Sequence, residues 1–110
     1  MKVLANDGIS QNSKKELIDL NFKIFDTKID QSELIQYINR NHIEIILVRS
    51  ATIINSEILN NCKSIKLIGR AGVGLDNIDL ISAKKNNVRV FNTPNASSIS
   101  VAELVISHLL

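Results

Sequence analysis

Glycines and arginines near the middle of the chain have the chemistry of an anion site. Gly72 and Gly74 flank Val73, and such a turn leaves successive backbone N–H groups unshielded, which suits a nest for a carboxylate or phosphate. Arg49 and Arg70 each follow an apolar run, and a guanidinium binds either anion through two parallel hydrogen bonds. These residue types therefore predict a binding site for a small anion.

The positions of the two arginines leave two interpretations open. If Arg49 and Arg70 lie at the ends of neighbouring strands, both guanidiniums reach one crevice and bind a ligand there. Alternatively, each arginine pairs with a local acid, such as Asp76 or Asp79, and only shapes the loop. The sequence alone favours neither interpretation.

The glycine motif does not match a dinucleotide-binding fingerprint. Residues 69–74 have the order G-x-x-G-x-G, whereas the fingerprint is G-x-G-x-x-G. The next strand ends near Asn92 and supplies no acid to bind a ribose. We therefore predict that this motif does not bind a dinucleotide.

Three other residues with reactive side chains have structural explanations. His42 precedes a strand and is predicted to lie at the surface, whereas His108 has no acid or cysteine nearby to support catalysis. Cys62 lies near the end of a short helix, where a buried small hydrophobic residue is expected. The chain has neither a Ser-His-Asp order nor a metal-ligand spacing, so we predict no catalytic residue and no metal site.

Short apolar runs predict five buried strands. Most of these runs are continuous rather than alternating, which is typical of strands covered on both faces of a parallel sheet. The runs span residues 2–6, 22–25, 43–48, 66–68 and 88–91.

Segments with helical spacing separate the strands. Three residues each stand three positions before a glutamate, as in a capping box: Ser13, Asp30 and Ser100. Asn55 can cap a helix over 56–61, and a further helix is expected over 80–86. Residues 101–110 are apolar around most of the helix circumference, which predicts a helix buried between domains and, in the chain alone, an exposed apolar patch.

The alternation of strands and helices predicts the α/β fold class. Right-handed crossovers place helices on both faces of a five-stranded parallel sheet, and the natural strand order is the flavodoxin-like 2-1-3-4-5. In such a sheet, ligands bind outside the carboxyl ends of the strands, near the point where the strand order reverses. We therefore expect the arginines and the glycine turn at that edge.

The composition limits the function classes. The 110 residues are enough for one domain, and 45% hydrophobic with 22% charged residues is typical of a globular chain. The net charge of +2 is too small to predict a nucleic-acid or membrane partner. A single cysteine excludes an internal disulfide and favours a reducing compartment, so we predict a cytoplasmic location.

Four motifs resemble the D-isomer-specific 2-hydroxyacid dehydrogenases. Residues 66–79 read KLIGRAGVGLDNID, and the other stretches are LVRSAT at 47–52, VFNTPN at 90–95 and SVAELV at 100–105. The resemblance is dense across residues 43–110, and within the family it is most similar to members that oxidise 3-phosphoglycerate.

The resemblance implies which part of such an enzyme this chain supplies. Family members have a flavodoxin-like substrate domain, split in sequence, with a Rossmann NAD domain inserted into it. Residues 1–99 would form the N-terminal portion of the substrate-binding domain, and residues 100–110 would start the helix that leads to the NAD-binding domain. The family's catalytic Arg, Glu and His lie downstream of the matched region, so none is assigned here. The complete enzyme is expected to be a homo-oligomer that uses NAD.

The resemblance also implies roles for individual residues. The N–H groups of Val73 and Gly74 would hold the substrate carboxylate, with Val73 bordering the nicotinamide. Arg49, Ser50 and Arg70 would surround the anionic groups, and two arginines favour a doubly anionic 2-hydroxy acid such as 3-phosphoglycerate. The full set of predicted substrate-binding residues is Arg49, Ser50, Arg70, Gly72, Val73, Gly74 and Ser97.

Two other functions fit the same residues. A standalone anion-binding or regulatory module could use the crevice without catalysis. An interaction fragment could instead act by docking its terminal helix onto a partner.

Overall fold

A five-stranded parallel sheet organises the computed structural model, which describes residues 1–72, 74–93 and 100–109. The strands are β1 (Lys2–Ala5), β2 (Lys23–Phe25), β3 (Ile45–Val48), β4 (Leu67–Ala71) and β5 (Arg89–Thr93). Their order across the sheet is β2-β1-β3-β4-β5, and every pairing is parallel. The predicted α/β class and the flavodoxin-like strand order are confirmed.

Helices cover both faces of the sheet, as predicted. They are α1 (Gln11–Asp19), α2 (Leu34–Asn41), α3 (Ser56–Asn61), α4 (Leu80–Lys85) and α5 (Val101–Leu109), and a 3-10 turn (Gln31–Glu33) precedes α2. Buried side chains of α1 and α5 pack on one face, and those of α2, α3 and α4 pack on the other. None of the helices in the described residues is long and apolar enough to cross a membrane.

The central strand β3 shows why its apolar run is continuous. Ile45 and Leu47 pack toward α1 and α5, whereas Ile46 and Val48 pack toward α2, α3 and α4. All four side chains are buried. Because successive residues of a strand point to opposite faces and both faces are covered, no position in β3 is left for a polar side chain.

The helix caps agree only in part with the predicted capping boxes. The prediction at Ser13 is wrong, because α1 begins earlier and Ser10 is its cap, with Ser10 Oγ accepting a hydrogen bond from Ser13 N–H at 3.1 Å. Asp30 caps the 3-10 turn rather than an α-helix. Asn55 caps α3 as predicted, through a 3.0 Å hydrogen bond from Ile58 N–H.

Strands β4 and β5 are longer than the apolar runs predict. The sequence predicts that they end at residues 68 and 91, but their pairing continues to Ala71 and Thr93. Gly69 leaves room for the ring of Phe91, its partner in the paired strand. A Cβ at residue 69 would lie 2.5 Å from Phe91 Cζ and would displace that ring. Arg70 is therefore a strand residue and not, as predicted, part of the loop.

Helix α5 packs on the sheet more fully than its composition suggests. Ala102 and Val105 are buried, and Leu104 and Leu109 are partly buried against the same cluster. Within the described residues of α5, Ile106 is the exposed large hydrophobic residue, with 36% of its surface accessible. The apolar patch predicted for this helix is therefore small over residues 101–109.

The double-sided core leads to a prediction about stability. Ile68, in β4, is fully buried, whereas Ile81, in α4, is 84% exposed. We expect Ile68→Ala to lower the free energy of unfolding by about 2–5 kcal/mol, because it leaves a cavity in the core. The matched variant Ile81→Ala should change it by no more than about 0.5 kcal/mol. Urea unfolding measures both, and equal effects would contradict this packing.

Candidate functional site

A cleft opens at the carboxyl edge of the sheet, where the strand order reverses between β1 and β3. Its volume is about 150 Å³. The described residues that line it come from the β1–α1 turn, the ends of β3, β4 and β5, and both α1 and α5: Gly8, Ile9, Ser10, Ser13, Leu47, Val48, Arg49, Gly69, Arg70, Ala71, Phe91, Thr93 and Val101. The general rule for ligand sites in open parallel sheets predicts a site at this edge.

The electrostatic character of the cleft is positive. Arg49 and Arg70 both line it, and none of the described lining residues is an aspartate or glutamate. Helix α1 begins at the cleft with Ser10 as its cap, and the N-terminal end of a helix carries a partial positive charge. The arrangement is suited to a small anion.

Arg70 is held by an amide rather than by an acid. Its Nε–H donates to Asn77 Oδ1 at 2.8 Å. A Cβ at Gly72 would lie 2.5 Å from Arg70 Nη1, so the guanidinium occupies space that only glycine leaves open, and Gly72 has a φ of +132°. No ion pair joins this arginine to Asp76 or Asp79. The interpretation in which a local acid neutralises Arg70 is therefore wrong.

Arg49 is held through its backbone and leaves its side chain exposed. Its N–H donates to Asp7 Oδ2 at 2.8 Å, and its carbonyl accepts from Asn77 Nδ2 at 2.7 Å. Like Arg70, it forms no ion pair with a carboxylate of the described residues. Neither guanidinium is therefore neutralised by a carboxylate of the described residues.

Asp7 fixes the loop that carries Arg49. Its carboxylate is 5% exposed and also accepts from Lys28 Nζ at 2.6 Å, from Thr52 Oγ1 at 2.6 Å and from Thr52 N–H at 3.1 Å. Burial raises the pKa of Asp7, but the hydrogen bonds from Lys28, Thr52 and the Arg49 backbone outweigh burial and lower the pKa to about 2. The group is therefore charged throughout the physiological range.

The side-chain amide of Asn6 extends the Asp7 network to the loop between β2 and α2. Asn6, which is buried, donates to Thr52 Oγ1 at 2.9 Å and to the Ile29 carbonyl at 3.1 Å. Its Oδ1 accepts from Ile29 N–H at 2.7 Å. Three loops at the carboxyl edge are thus joined around the end of β1.

The loops after β3 and β4 also share backbone hydrogen bonds. Ile54 N–H donates to the Asn77 carbonyl at 2.8 Å, and Asp79 N–H donates to the Ile54 carbonyl at 2.9 Å. Ile54 and Ile78 form an isolated parallel bridge. These bonds hold the loop that carries Arg49 and the loop that carries Asn77 in one relative position.

Thr93, at the end of β5, contributes a polar atom to the cleft. The residue is 5% exposed, and its Oγ1 has no hydrogen-bond partner among the described residues. A buried hydroxyl without a partner is costly in free energy, so this atom is a candidate contact for a bound ligand.

The predicted site residues fall into three groups. Arg49 and Arg70 meet in the cleft. Gly72, Gly74 and the exposed Ser50 lie on the adjoining loops, outside the described lining of the cleft. The predictions at Val73 and Ser97 lie outside the described residues.

The remaining reactive side chains have structural roles. His42 is exposed at the end of α2, and the His108 ring stacks on Phe91 with 4.7 Å between ring centroids. Cys62 is buried, and burial raises the pKa of its thiol to about 11. Within the described residues, no group of three or more His, Cys, Asp or Glu side chains could hold a metal ion.

Sequence analysis missed the residues that support the arginines. Asp7, Thr52 and Asn77 lie in the loops that follow β1, β3 and β4, which is a signal for proximity at one edge of the sheet. Their partners are not encoded locally, because the bond from Asn77 to the Arg49 carbonyl spans 28 positions in the chain. Only the tertiary fold shows that these side chains hold the arginines.

A comparison with protein families gives the evolutionary context of this site. Residues 3–107 match the sequence profile described as "D-isomer specific 2-hydroxyacid dehydrogenase, catalytic domain". The chain belongs to this family. The predicted family relationship is thus confirmed over almost the whole chain.

Named members of the 2-hydroxyacid dehydrogenase family are similar along the full chain. A hydroxypyruvate reductase from Thermotoga maritima is 36% identical over 110 residues, which cover 99% of this chain and 35% of that protein. A D-3-phosphoglycerate dehydrogenase from Methanocaldococcus jannaschii is also 36% identical over 110 residues, covering 100% of this chain and 21% of that protein. This chain therefore spans about a third or less of the length of these relatives.

A solved structure from the same family has the same fold. The NAD⁺-bound 3-phosphoglycerate dehydrogenase from Entamoeba histolytica superposes with a TM-score of 0.70 at 28% identity. The match covers 97% of this chain and 37% of that one.

The Asp7 network leads to a prediction about acid stability. The pKa of Asp7 falls from 3.8 to about 2, so its stabilising effect is complete above 3.8 and is lost as the pH falls toward 2. This difference corresponds to about 2 kcal/mol. We expect Asp7→Asn to lower the free energy of unfolding by about this amount at neutral pH and to flatten its decline below about pH 4. Urea unfolding at a series of pH values measures both effects.

The matched control for this prediction is Asp26→Asn. Asp26 pairs with Lys14 at 2.8 Å, but its side chain is 40% exposed, and exposed ion pairs contribute little to stability. The control should keep most of the wild-type decline. If the two variants behave alike, the buried network around Asp7 does not have the role assigned to it.

Proposed function

We propose that this chain is the N-terminal part of the substrate-binding domain of an NAD-dependent D-2-hydroxyacid dehydrogenase that acts on 3-phosphoglycerate. The observation that carries the proposal is the pair Arg49 and Arg70, which line one cleft that has no acid among its described lining residues. In a member of this family, that cleft lies where a ligand of an open parallel sheet is expected.

The choice of substrate rests on charge. The two relatives described above have different names, a hydroxypyruvate reductase and a D-3-phosphoglycerate dehydrogenase, at the same identity of 36%. Similarity alone therefore does not choose between their substrates. Two arginines without acidic partners suit a ligand with two anionic groups, and 3-phosphoglycerate carries a carboxylate and a phosphate.

The glycine turn would supply the contact to the carboxylate. The N–H of Gly74 donates to none of the described residues, which supports a contact with a ligand there. The N–H of Gly72 is already used, since it donates to the Thr93 carbonyl at 3.2 Å. We therefore assign the carboxylate to Val73 and Gly74, and we assign to Gly72 the role of making room for Arg70.

The NAD of such an enzyme would be bound mainly outside these 110 residues. The chain has no G-x-G-x-x-G motif, and the described residues of the cleft resemble an anion site rather than a dinucleotide site. The solved relative from Entamoeba histolytica is NAD⁺-bound, which supports NAD for the complete enzyme. The proposed task of this chain is to bind and orient the substrate.

The proposed arrangement assigns residues 1–99 to the substrate-binding domain and residues 100–110 to the start of the helix that leads to the NAD-binding domain. A cytoplasmic location and a homo-oligomeric complete enzyme belong to the same proposal. Family membership supports these assignments, and the sequence of the gene beyond Leu110 would test them, since a glycine-rich dinucleotide motif is expected there.

The substrate proposal predicts weaker binding when either arginine is replaced. We expect Arg49→Gln and Arg70→Gln each to weaken 3-phosphoglycerate binding by about tenfold or more, because each removes a charge-assisted contact to an anion. Arg40→Gln is the control, since Arg40 is exposed in the last turn of α2, at the opposite edge of the sheet. NMR titration of the ¹⁵N-labelled chain measures the three affinities. Equal affinities in all variants would overturn the assignment of the cleft.

If this chain binds the substrate and the catalytic residues lie outside it, the 110 residues alone should have no dehydrogenase activity. We expect no formation of NADH from NAD⁺ and 3-phosphoglycerate, followed by absorbance, in a preparation free of other dehydrogenases. Sustained turnover would refute the proposal that chemistry depends on residues outside the chain. Micromolar binding of 3-phosphoglycerate without NAD would instead favour a standalone anion-binding module, because a partial site is expected to bind weakly.

A further inference from the structure

We propose that Asn77 is a positioning residue that couples Arg49 to Arg70 and so makes the cleft selective for ligands with two anionic groups. This inference rests on the proposed function of the cleft. It adds a residue that would not touch the substrate and would act through both arginines.

The side-chain amide of Asn77 joins the two arginine-bearing segments through both of its N–H donors and its oxygen. Its Nδ2 donates to the carbonyls of Arg49 and Thr52, each at 2.7 Å, and its Oδ1 accepts from Arg70 Nε at 2.8 Å. The reversed amide would place a donor against Arg70 Nε–H and an oxygen against two carbonyls. The three partners therefore fix the orientation of the amide.

An amide at residue 77 also preserves the charge of the cleft. A carboxylate here could accept from Arg70, but it would neutralise the guanidinium and would face the two carbonyls with no donor. The bond to Asn77 uses one of five guanidinium donors, and the guanidinium of Arg70 forms no other hydrogen bond to the described residues. The other donors remain available for an anion.

Fixing the two arginines relative to each other favours a doubly anionic ligand. The amide fixes the backbone of Arg49 and the side chain of Arg70, so the entropy cost of ordering these two groups is met before binding, and only the Arg49 side chain is left for the ligand to order. A ligand with one anionic group can bind to either arginine alone and gains less from this coupling. Loss of Asn77 should therefore reduce the advantage of the second anionic group.

The test compares two ligands that differ only in the phosphate, 3-phosphoglycerate and D-glycerate. NMR titration of the 110-residue chain gives the ratio of their affinities for the wild type, Asn77→Ala and Asn77→Asp. The matched control is Asn86→Ala, because Asn86 also donates two side-chain hydrogen bonds but lies at the end of α4. The resonance of Arg70 Nε–H in the free protein reports directly on its contact with residue 77.

Asn77→Ala is expected to lower the affinity ratio by about tenfold and to shift the Arg70 Nε–H resonance toward that of a solvent-exposed arginine. Asn77→Asp should keep a hydrogen-bonded resonance but also lower the ratio, because it cancels the charge. The control should change neither quantity. If Asn77→Ala does not fold, Asn77→Asp keeps the inference falsifiable, since an unchanged affinity ratio in that variant would overturn it.

Two outcomes would overturn the inference, and they are distinguishable. If the wild type prefers 3-phosphoglycerate and the Asn77 variants keep the same affinity ratio, the positioning role of Asn77 is refuted and the proposed function is not. If the wild type binds neither ligand, the proposed function falls, and this inference falls with it.

Discussion

One buried carboxylate holds together the edge of the sheet on which the cleft depends. Asp7 lies in the turn after β1, and four donors from Lys28, Arg49 and Thr52 converge on its two oxygens. A charged group with 5% exposure is tolerated only when its lone pairs are satisfied, so the surrounding loops must keep these positions. The geometry of the cleft is thus set by polar contacts at the edge and by apolar packing beneath it.

The same network compensates the negative charge of Asp7 beside the cleft. An uncompensated carboxylate at the end of β1 would lie next to the turn that lines the cleft and would repel an anionic ligand. Lys28 neutralises Asp7 at 2.6 Å, while Asn77 holds Arg70 without neutralising it. Asp7 is therefore paired inside the protein, whereas Arg49 and Arg70 form no ion pair within the described residues.

The sequence predicted the layers of this fold better than the contacts at its edge. Strand order and double-sided coverage follow from the period of apolar residues, which each strand carries locally. The start of α1 was misplaced because Ser10 and Ser13 both offer a capping hydroxyl, and the choice depends on the turn at Gly8, where φ is +94°. The extension of β4 through Arg70 depends on its pairing with β5, which no local pattern reports.

The site was predicted to the extent that it depends on residue type. Guanidiniums and a glycine turn are typical of anion sites, so Arg49 and Arg70 can be proposed from the sequence, and the fold brings both to one cleft. Residue type alone does not distinguish Asn77, because an asparagine in a loop usually indicates a turn. Its role depends on two carbonyls and a guanidinium brought together by the crossover between β3 and β4.

The parallel bridge between Ile54 and Ile78 has a consequence for motion. Because the loops after β3 and β4 share backbone hydrogen bonds, opening either loop alone breaks these bonds. We therefore expect the two loops to open together, as one cooperative unit. Fluctuations of the arginine-bearing segments are then correlated even without a ligand, and a change in the length of one loop must be matched by the other.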